Sequence, residues 1–498
     1  TMKRRSLKTI PFGEWLPDIP DFGNPGLREA TNVIPDQFSY QPHKAFSAIS
    51  TVGLDARCRG FSGAVGAGHQ TYAYAGDASK LYSLVGTTWN DVSKSGGYTL
   101  GDDSDWEFAQ FGETFVATSY DDPVQSITPG GANFADMITS TNKPKARHVG
   151  VVGQFLVLGH TNDTTDGVKR SRVWWSAIRD QTDFDPDADT QCDYEDLKEG
   201  GDVQRIIGGV EYGLVFCERA IYRMTYVGPP LVFRFDPIDR KRGTPLPGSV
   251  TSLGRLTYYI SDEGFYITDG AQSHAIGQSK VDEEFWLNQF DISLRTRVTS
   301  GIDPLNKTIV WSFPGSGNTN GTPNKLFIYH WPESRWSSAD VEVECIGSGL
   351  SLGTTLEEVG ALYPDLETVP FSLDAISWTG GDRLLAAFNT SQQYGTFTGA
   401  NLAATITTGS HELAKGFRAR VQRVRPMVDG GAITTSVAGR EDLQETQSFD
   451  TAADINDIGD TAQNNSGRYH DFRVSIAAGG SWNHAQGIDV EYVHQGRR

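Results

Sequence analysis

The feature that most constrains this chain is an aromatic hairpin that recurs. In residues 255–285, RLTYYISDEGFYITDGAQSHAIGQSKVDEEF, Leu256, Tyr258 and Ile260 alternate with Arg255, Thr257 and Tyr259, the period of a strand with one buried face. Ser261, Asp262, Glu263 and Gly264 supply a four-residue polar turn. Phe265, Tyr266, Ile267 and Thr268 return as a second strand that ends at Asp269-Gly270. Looser versions stand at 110–120 (QFGETFVATSY), 154–160 with 172–178 (QFLVLGH, RVWWSAI), 212–226 (YGLVFCERAIYRMTY) and 308–313 with 325–336 (TIVWSF, KLFIYHWPESRW). A spacing of roughly 45 residues per unit fits propeller blades of four short strands better than the shorter repeats of helical solenoids. The fold class this predicts is all-β: a β-propeller with a second, smaller β-sandwich-like domain.

Composition agrees with a folded, strand-rich chain: of 498 residues, 55 are Gly and 11% are aromatic, while long helical-period runs are scarce. Lys and Arg total 43 against 62 Asp and Glu, a net charge of −19. Such acidity argues against ordinary nucleic-acid affinity, which needs cations that displace counterions from phosphates. It leaves open a surface that nucleic acid passes without sticking. Cys58, Cys192, Cys217 and Cys345 lie far apart with no Cys-x-x-Cys pair, and are expected as buried thiols, with a structural disulfide as the alternative. No apolar run approaches the roughly 20 residues that span a bilayer. The basic start TMKRRSLK lacks the apolar core of a secretory signal, so synthesis in a cytosol is expected and the Asn-x-Ser/Thr triplets at Asn162, Asn306, Asn320, Asn389 and Asn464 are expected to carry no glycan.

Three regions follow. Residues 1–54 form an extended, proline-rich N-terminal arm whose six prolines between 11 and 42 deny a regular helix and a central strand. Trp15, Phe22, Tyr40 and Phe46 are its anchors, either on a neighbouring subunit or as a strap on the chain's own propeller. Residues 55–347 hold the hairpin units and their polar turns. Residues 348–498 form the sandwich-like docking domain, with strands over 403–410, 417–428, 432–438, 470–477 and 488–493 and a polar, mobile tract over 444–467.

Catalytic signals are lacking. Ser261 to Tyr266 has a passing likeness to the Asp-box turn of sialidase propellers, which is a structural turn. Asp262, Glu263, Asp282, Glu283 and Glu284 show no spacing that favours paired glycosidase carboxylates over solvated turns. The run from Asn162 to Gly167 starts like a calcium loop, but Val173 stands where the bidentate Glu belongs. The run from Asp454 to Gly459 fails at Ile458. Gly63 to Gly68 is a glycine-rich turn without a phosphate-loop Lys, and the histidines show no metal-ligand spacing. Residues 180–193, DQTDFDPDADTQCD, form a dense acidic loop, either solvated or cation-binding. No catalytic residue, metal or cofactor is expected. Basic residues gather over 3–8, 169–172, 240–242 and 418–425. In the last group Arg418 and Arg420 share one strand face, with Arg423 and Arg425 on the other or beyond a bulge. Pairing with carboxylates of a neighbouring subunit is expected there in preference to phosphate binding, with plain surface solvation as the alternative.

The arm over 15–42, the hairpin YYISDEGFYITDG with IGQSKVDEEF after it, the segment RVWWSAIRDQTDFDP and the closing RYHDFRVSIAAGGSWNHAQGIDVEYV together resemble the tail nozzle or hub proteins of short-tailed bacteriophages, the group that includes packaged-DNA stabilisation proteins. The likeness runs through nearly the whole chain. It implies a non-catalytic virion protein of the tail: a homo-hexameric ring of propellers below the portal and adaptor, retaining double-stranded DNA until ejection and carrying tail fibres or spikes. Interface residues would then include Trp15, Phe22, Tyr40, Arg418, Arg420, Arg423 and Arg425, and acidic turns would line the lumen. The rival readings are a glycan-acting propeller hydrolase and a monomeric propeller scaffold for protein binding.

Overall fold

The computed structural model describes residues 5–351 and 381–496. Pro364 and Pro370, which would break their stretch of the sequence into short pieces, lie outside the described residues. Among the described residues, seven four-stranded antiparallel units follow one another along the chain, six as separate sheets and one as the start of a larger sheet, their first strands being Phe61–Val65, Glu107–Phe111, Lys145–Val152, Val203–Ile207, Thr251–Leu253, Thr299–Asp303 and Cys345–Leu350. These are blades 1 to 7 of a propeller, and the first strand of blade 7 packs against that of blade 1. Blade 7 takes its outermost strand, Ser47–Ala48, from the N-terminal segment, paired with Tyr394–Thr396. The propeller therefore does not end at 347, because Arg383–Phe388 and Tyr394–Thr396 complete its last blade.

The hairpin that opened the sequence reading is the centre of blade 5, Leu256–Ser261 paired with Gly264–Thr268. Only Leu256 of its first strand is exposed. The expectation of one buried face is corrected: blades flank the strand on both sides, so both faces are interior. Tyr259 and Tyr266 pack with Phe216 and Ile221 of blade 4, while Tyr258, Ile260 and Phe265 join the largest core with Trp311 and Trp336 of blade 6. Phe265 meets the Trp311 and Trp336 rings at 5.0 and 4.8 Å. Both indoles donate to backbone carbonyls, Trp311 to Ser249 at 2.9 Å and Trp336 to Ile276 at 3.0 Å.

Gly264 sits at φ +139°, and a Cβ there would stand 2.1 Å from the Asp282 carboxyl carbon; one on Gly277 would stand 2.0 Å from Asp282 Oδ1. That carboxylate occupies the space between the two glycines and accepts the Phe265 N–H at 3.0 Å. The hairpin and the IGQSKVDEEF segment are thus one unit, held by a carboxyl that burial pushes up to about 7 against the opposing pull of the Phe265 N–H.

The N-terminal segment is woven into the fold. Arg5–Pro11 pairs with Ala485–His494, and the hairpin Val33–Asp36/Ser39–Pro42 meets the start of the same strand. Leu27–Thr31 lies between the outer strand of blade 6, Arg335–Ala339, and Ala404–Thr408. One ten-stranded sheet thereby continues from blade 6 through Leu27–Thr31 into Ala404–Thr408, Tyr469–Ile476 and Ile433–Arg440. The facing sheet contains Ala485–His494, Ala419–Val428 and Thr461–Gly467. These two sheets are the sandwich, and Ile406, Val421, Phe472 and Val490 share one core with Trp15, Tyr40, Phe265 and Trp336.

The tract read as mobile contains the strand Thr461–Gly467, which pairs with Ala419–Val428. Its inward residues are polar but bonded, Thr461 donating to the Val424 carbonyl at 2.8 Å and Asn465 to Asp450 at 2.7 Å. All four cysteines are buried free thiols.

Two outcomes are expected. Trp336→Ala, which removes a fully buried ring and its hydrogen bond, lowers stability by about 3–5 kcal/mol in urea unfolding. Asp282 keeps its proton to a higher pH in the folded than in the unfolded chain, so stability falls as pH rises from about 4, where unfolded carboxyls ionise, to about 7. Asp282→Asn removes that share of the decline, and the gap between variant and wild-type denaturation midpoints widens with pH across this window.

Candidate functional site

The seven residues singled out from the sequence do not converge. Trp15 is 5% exposed, donates its indole N–H to the Arg28 carbonyl at 2.9 Å and meets Phe327 edge-on at 5.1 Å. Tyr40 is fully buried, donates to the Gly13 carbonyl at 2.8 Å and lies under Arg335. Both are interior to the chain's own core, which corrects their reading as intersubunit anchors. Phe22 is half exposed, its ring edge-on to Tyr469 at 5.3 Å.

The arginines lie in and just before Ala419–Val428. A bulge between Val421 and Arg423 turns Arg420, Arg423 and Arg425 to the same exposed face. Their partners are the chain's own: Arg420 to Asn464 at 2.8 Å, Arg425 to Asp460 at 2.9 Å and Arg423 to Asp460 at 3.6 Å, while Arg418 pairs with Glu441 at 2.7 Å. Across the sheet Arg423 stands opposite Glu491, which also takes Arg5 at 2.9 Å. The expected carboxylates of a neighbour are supplied from within, so this face is largely compensated in the single chain.

The other acidic candidates are turn builders. Asp185 accepts from Thr141 N, Asn142 N and Asn142 Nδ2, and Asp187 accepts from Asp189 N, tying the 180–193 loop to its surroundings. Asp163 caps the 163–166 turn, and Asp166 meets Arg172 at 2.6 Å. Among the described residues, no three His, Cys, Asp or Glu side chains are grouped so as to hold a metal ion.

What ring closure does bring together is a charged cavity of about 270 Å³ on the propeller axis. It is walled by residues at the starts of the first strands of all seven blades, including Arg57, Arg59, Arg147, Arg205 and Arg297. At about 30 Å³ per water it has room for a small molecule and a few waters, not for a duplex. This axis lies within one subunit and is distinct from the ring lumen for which acidic turns are expected.

Glu107 of blade 2 is the best-held group. It accepts from Arg205 of blade 4 at 2.5 Å, is 2.7 Å from His148 Nδ1 of blade 3, and takes the Val149 N–H at 3.3 Å. Burial would raise its pKa, but the Arg205 and His148 charges and these hydrogen bonds outweigh burial and hold it below the ordinary carboxylate range. Arg297 bonds Glu344 at 2.5 Å, whereas Asp105 has Arg57 only at 4.0 Å. Asp105 turns 40% of its side chain to the cavity, yet protein encloses it, and burial pushes its carboxyl up to about 6 against the pull of Arg57, Arg59, Arg147 and Arg297.

The sequence reading missed this cluster because Glu107, His148 and Arg205 meet only across blades. A signal was present. Arg59, Glu107, Arg147, Arg205, Arg297 and Glu344 each stand within two residues of the start of a blade's first strand, a recurring charge in otherwise apolar stretches.

No protein-family model matches the chain, and no curated protein matches it in sequence. Among solved structures it is similar to BamB from Moraxella catarrhalis at TM-score 0.26 and 12% identity, over 40% of this chain and 53% of that one. It is similar to the computationally designed Ika8 protein at TM-score 0.35 and 8% identity, over 70% of this chain and 98% of that one. For the extracellular domain of BT4673 from B. thetaiotaomicron the TM-score is 0.40 and the identity 10%, over 61% of this chain and 37% of that one. The assignment of seven blades rests on the strand pairing itself.

Glu107→Ala, which leaves Arg205 and His148 without their buried anion, is expected to cost about 3–5 kcal/mol in denaturant unfolding. Arg425→Ala, on the exposed face, is expected to cost less than about 1 kcal/mol by the same measurement.

Proposed function

We propose that this chain is a structural, non-catalytic subunit of a phage tail nozzle or hub: a homo-hexameric ring that conducts and retains genomic DNA and links the portal and adaptor to fibres or spikes. The observation that carries the reading furthest is the welding of propeller and sandwich by the N-terminal segment. Sheet pairing runs unbroken from blade 6 through Leu27–Thr31 into the sandwich, and Lys280 after blade 5 meets Glu14 at 2.6 Å. A body tied at several points transmits force between partners above and below with little internal give, which is what a subunit held under a packed genome requires.

The passage for DNA lies between copies in this reading, since the axis of each propeller is narrow and rich in arginine. Cyclic assembly joins unlike patches head to tail. A net charge of −19 per chain suits a wall past which a polyanion slides, because lysines and arginines are what hold phosphates. Screening confines that repulsion to about 8 Å at physiological salt, so it acts where the wall closely fits the duplex.

Mass photometry of the purified chain, alone and with its portal complex, tests the assembly. The expected result is addition to the portal complex of about six times the 54.4 kDa subunit mass. A chain that stays single in both samples contradicts the proposal and favours the monomeric scaffold.

A further inference from the structure

The axial cavity is lined by five arginines against four carboxylates, Asp103, Asp105, Glu107 and Glu344, and those carboxylates are unequally shared. Of five arginines, Arg205 and Arg297 each have a close carboxylate, Glu107 and Glu344. Arg147 donates Nη1 to the Asp103 carbonyl at 2.8 Å and stacks over Tyr120, and neither contact removes its charge. Arg59 bonds the carbonyls of Gly101 and Ser104, with the nearest carboxylate, that of the fully exposed Asp102, 3.8 Å away. Arg57 reaches only Asp105, at 4.0 Å.

Donors also remain unused. The Nε–H groups of Arg59, Arg147 and Arg297 are buried without a protein partner, and the Arg59 side chain as a whole is 9% exposed. Arg57, Arg59, Arg147 and Arg297 all bear on Asp105, so their fields converge on one region of the cavity. Like charges confined together in a low-dielectric wall repel strongly unless an anion stands among them. Guanidinium forks match tetrahedral and planar oxyanions through paired N–H donors.

We propose that the axial cavity is a binding site for a small free oxyanion of the orthophosphate class, with Arg57, Arg59 and Arg147 as its principal donors and Arg297 completing the shell. The cavity, at about 270 Å³, accepts a compact dianion with a few waters and excludes a nucleic-acid strand. Asp105 competes for the same guanidinium groups. Ring assembly plays no part in this, so a failed assembly test leaves the site standing.

Thermal unfolding of the full chain in millimolar orthophosphate, against sodium chloride at matched ionic strength, reads the binding as a rise in midpoint of several °C. Arg57→Gln with Arg147→Gln abolishes the phosphate-specific rise. Asp105→Asn removes the competing carboxylate and tightens phosphate binding several-fold by titration calorimetry, a gain that poor folding cannot mimic. The proposal is overturned by a wild-type midpoint no higher in phosphate than in chloride, by an equal rise in the double variant, by an Asp105→Asn affinity that is unchanged or weaker, or by stabilisation with a duplex oligonucleotide but not with orthophosphate.

Discussion

Closing the ring is the constraint on which the rest of this structure depends. Ser47 and Ala48 pair with Thr396 and Gly395, residues from near the opposite end of the propeller's sequence. Bringing together points separated by some 350 residues costs about 5 kcal/mol in chain entropy by the logarithmic loop law, before any constant term. A two-residue strand cannot offset that alone. The seam is carried by packing between blades 7 and 1, where Phe61 meets Phe388 and Tyr394 at 5.3 and 5.8 Å, and Trp89 meets the same two rings at 5.6 and 5.9 Å. Each such pair adds roughly 0.5–1.5 kcal/mol beyond its buried area.

Everything upstream of that seam is placed by it. Once Ser47–Ala48 is fixed on blade 7, the preceding residues run back across blade 6 and the sandwich, and their strands fill edges that would otherwise be open. Leu27–Thr31 covers the edge of blade 6, and Arg5–Pro11 covers Ala485–His494. Covered edges remove the unpaired backbone groups that invite aggregation. The same closure sets blade starts around one axis, so Glu107 and Arg205, 98 residues apart in sequence, meet at 2.5 Å. The charged cavity is therefore a product of the seam, as is the rigidity of the two-part body.

Much of the architecture was legible. Hairpins with polar turns at a repeated spacing gave the propeller, and alternating stretches late in the chain gave the sandwich strands, including Ala419–Val428 and Tyr469–Ile476. What was hidden is long-range. Nothing local in Ser47 and Ala48 marks them as the outer strand of blade 7, and the prolines of the arm suggested a loose strap, although Pro11 and Pro42 end strands and Pro35 sits in a short edge hairpin. Thr461–Gly467 read as mobile because its inward groups are polar, and their partners lie on other strands. Trp15 and Tyr40 stand out in the sequence as large aromatics among prolines, but composition cannot tell an anchor on a neighbour from one in the chain's own core, where both lie. The arginines of Ala419–Val428 were likewise visible, while Asp460, Glu491 and Asn464 became their partners only through sheet register and a bulge.

Native-state hydrogen exchange read by mass spectrometry over a denaturant series tests the central claim, that the N-terminal segment is integral to the closed body. The account predicts that peptides spanning residues 5–48 open only with the global unfolding transition, together with Tyr469–Ile476 and Arg383–Phe388. Exchange of those N-terminal peptides at much lower denaturant, with the blades still protected, would contradict it.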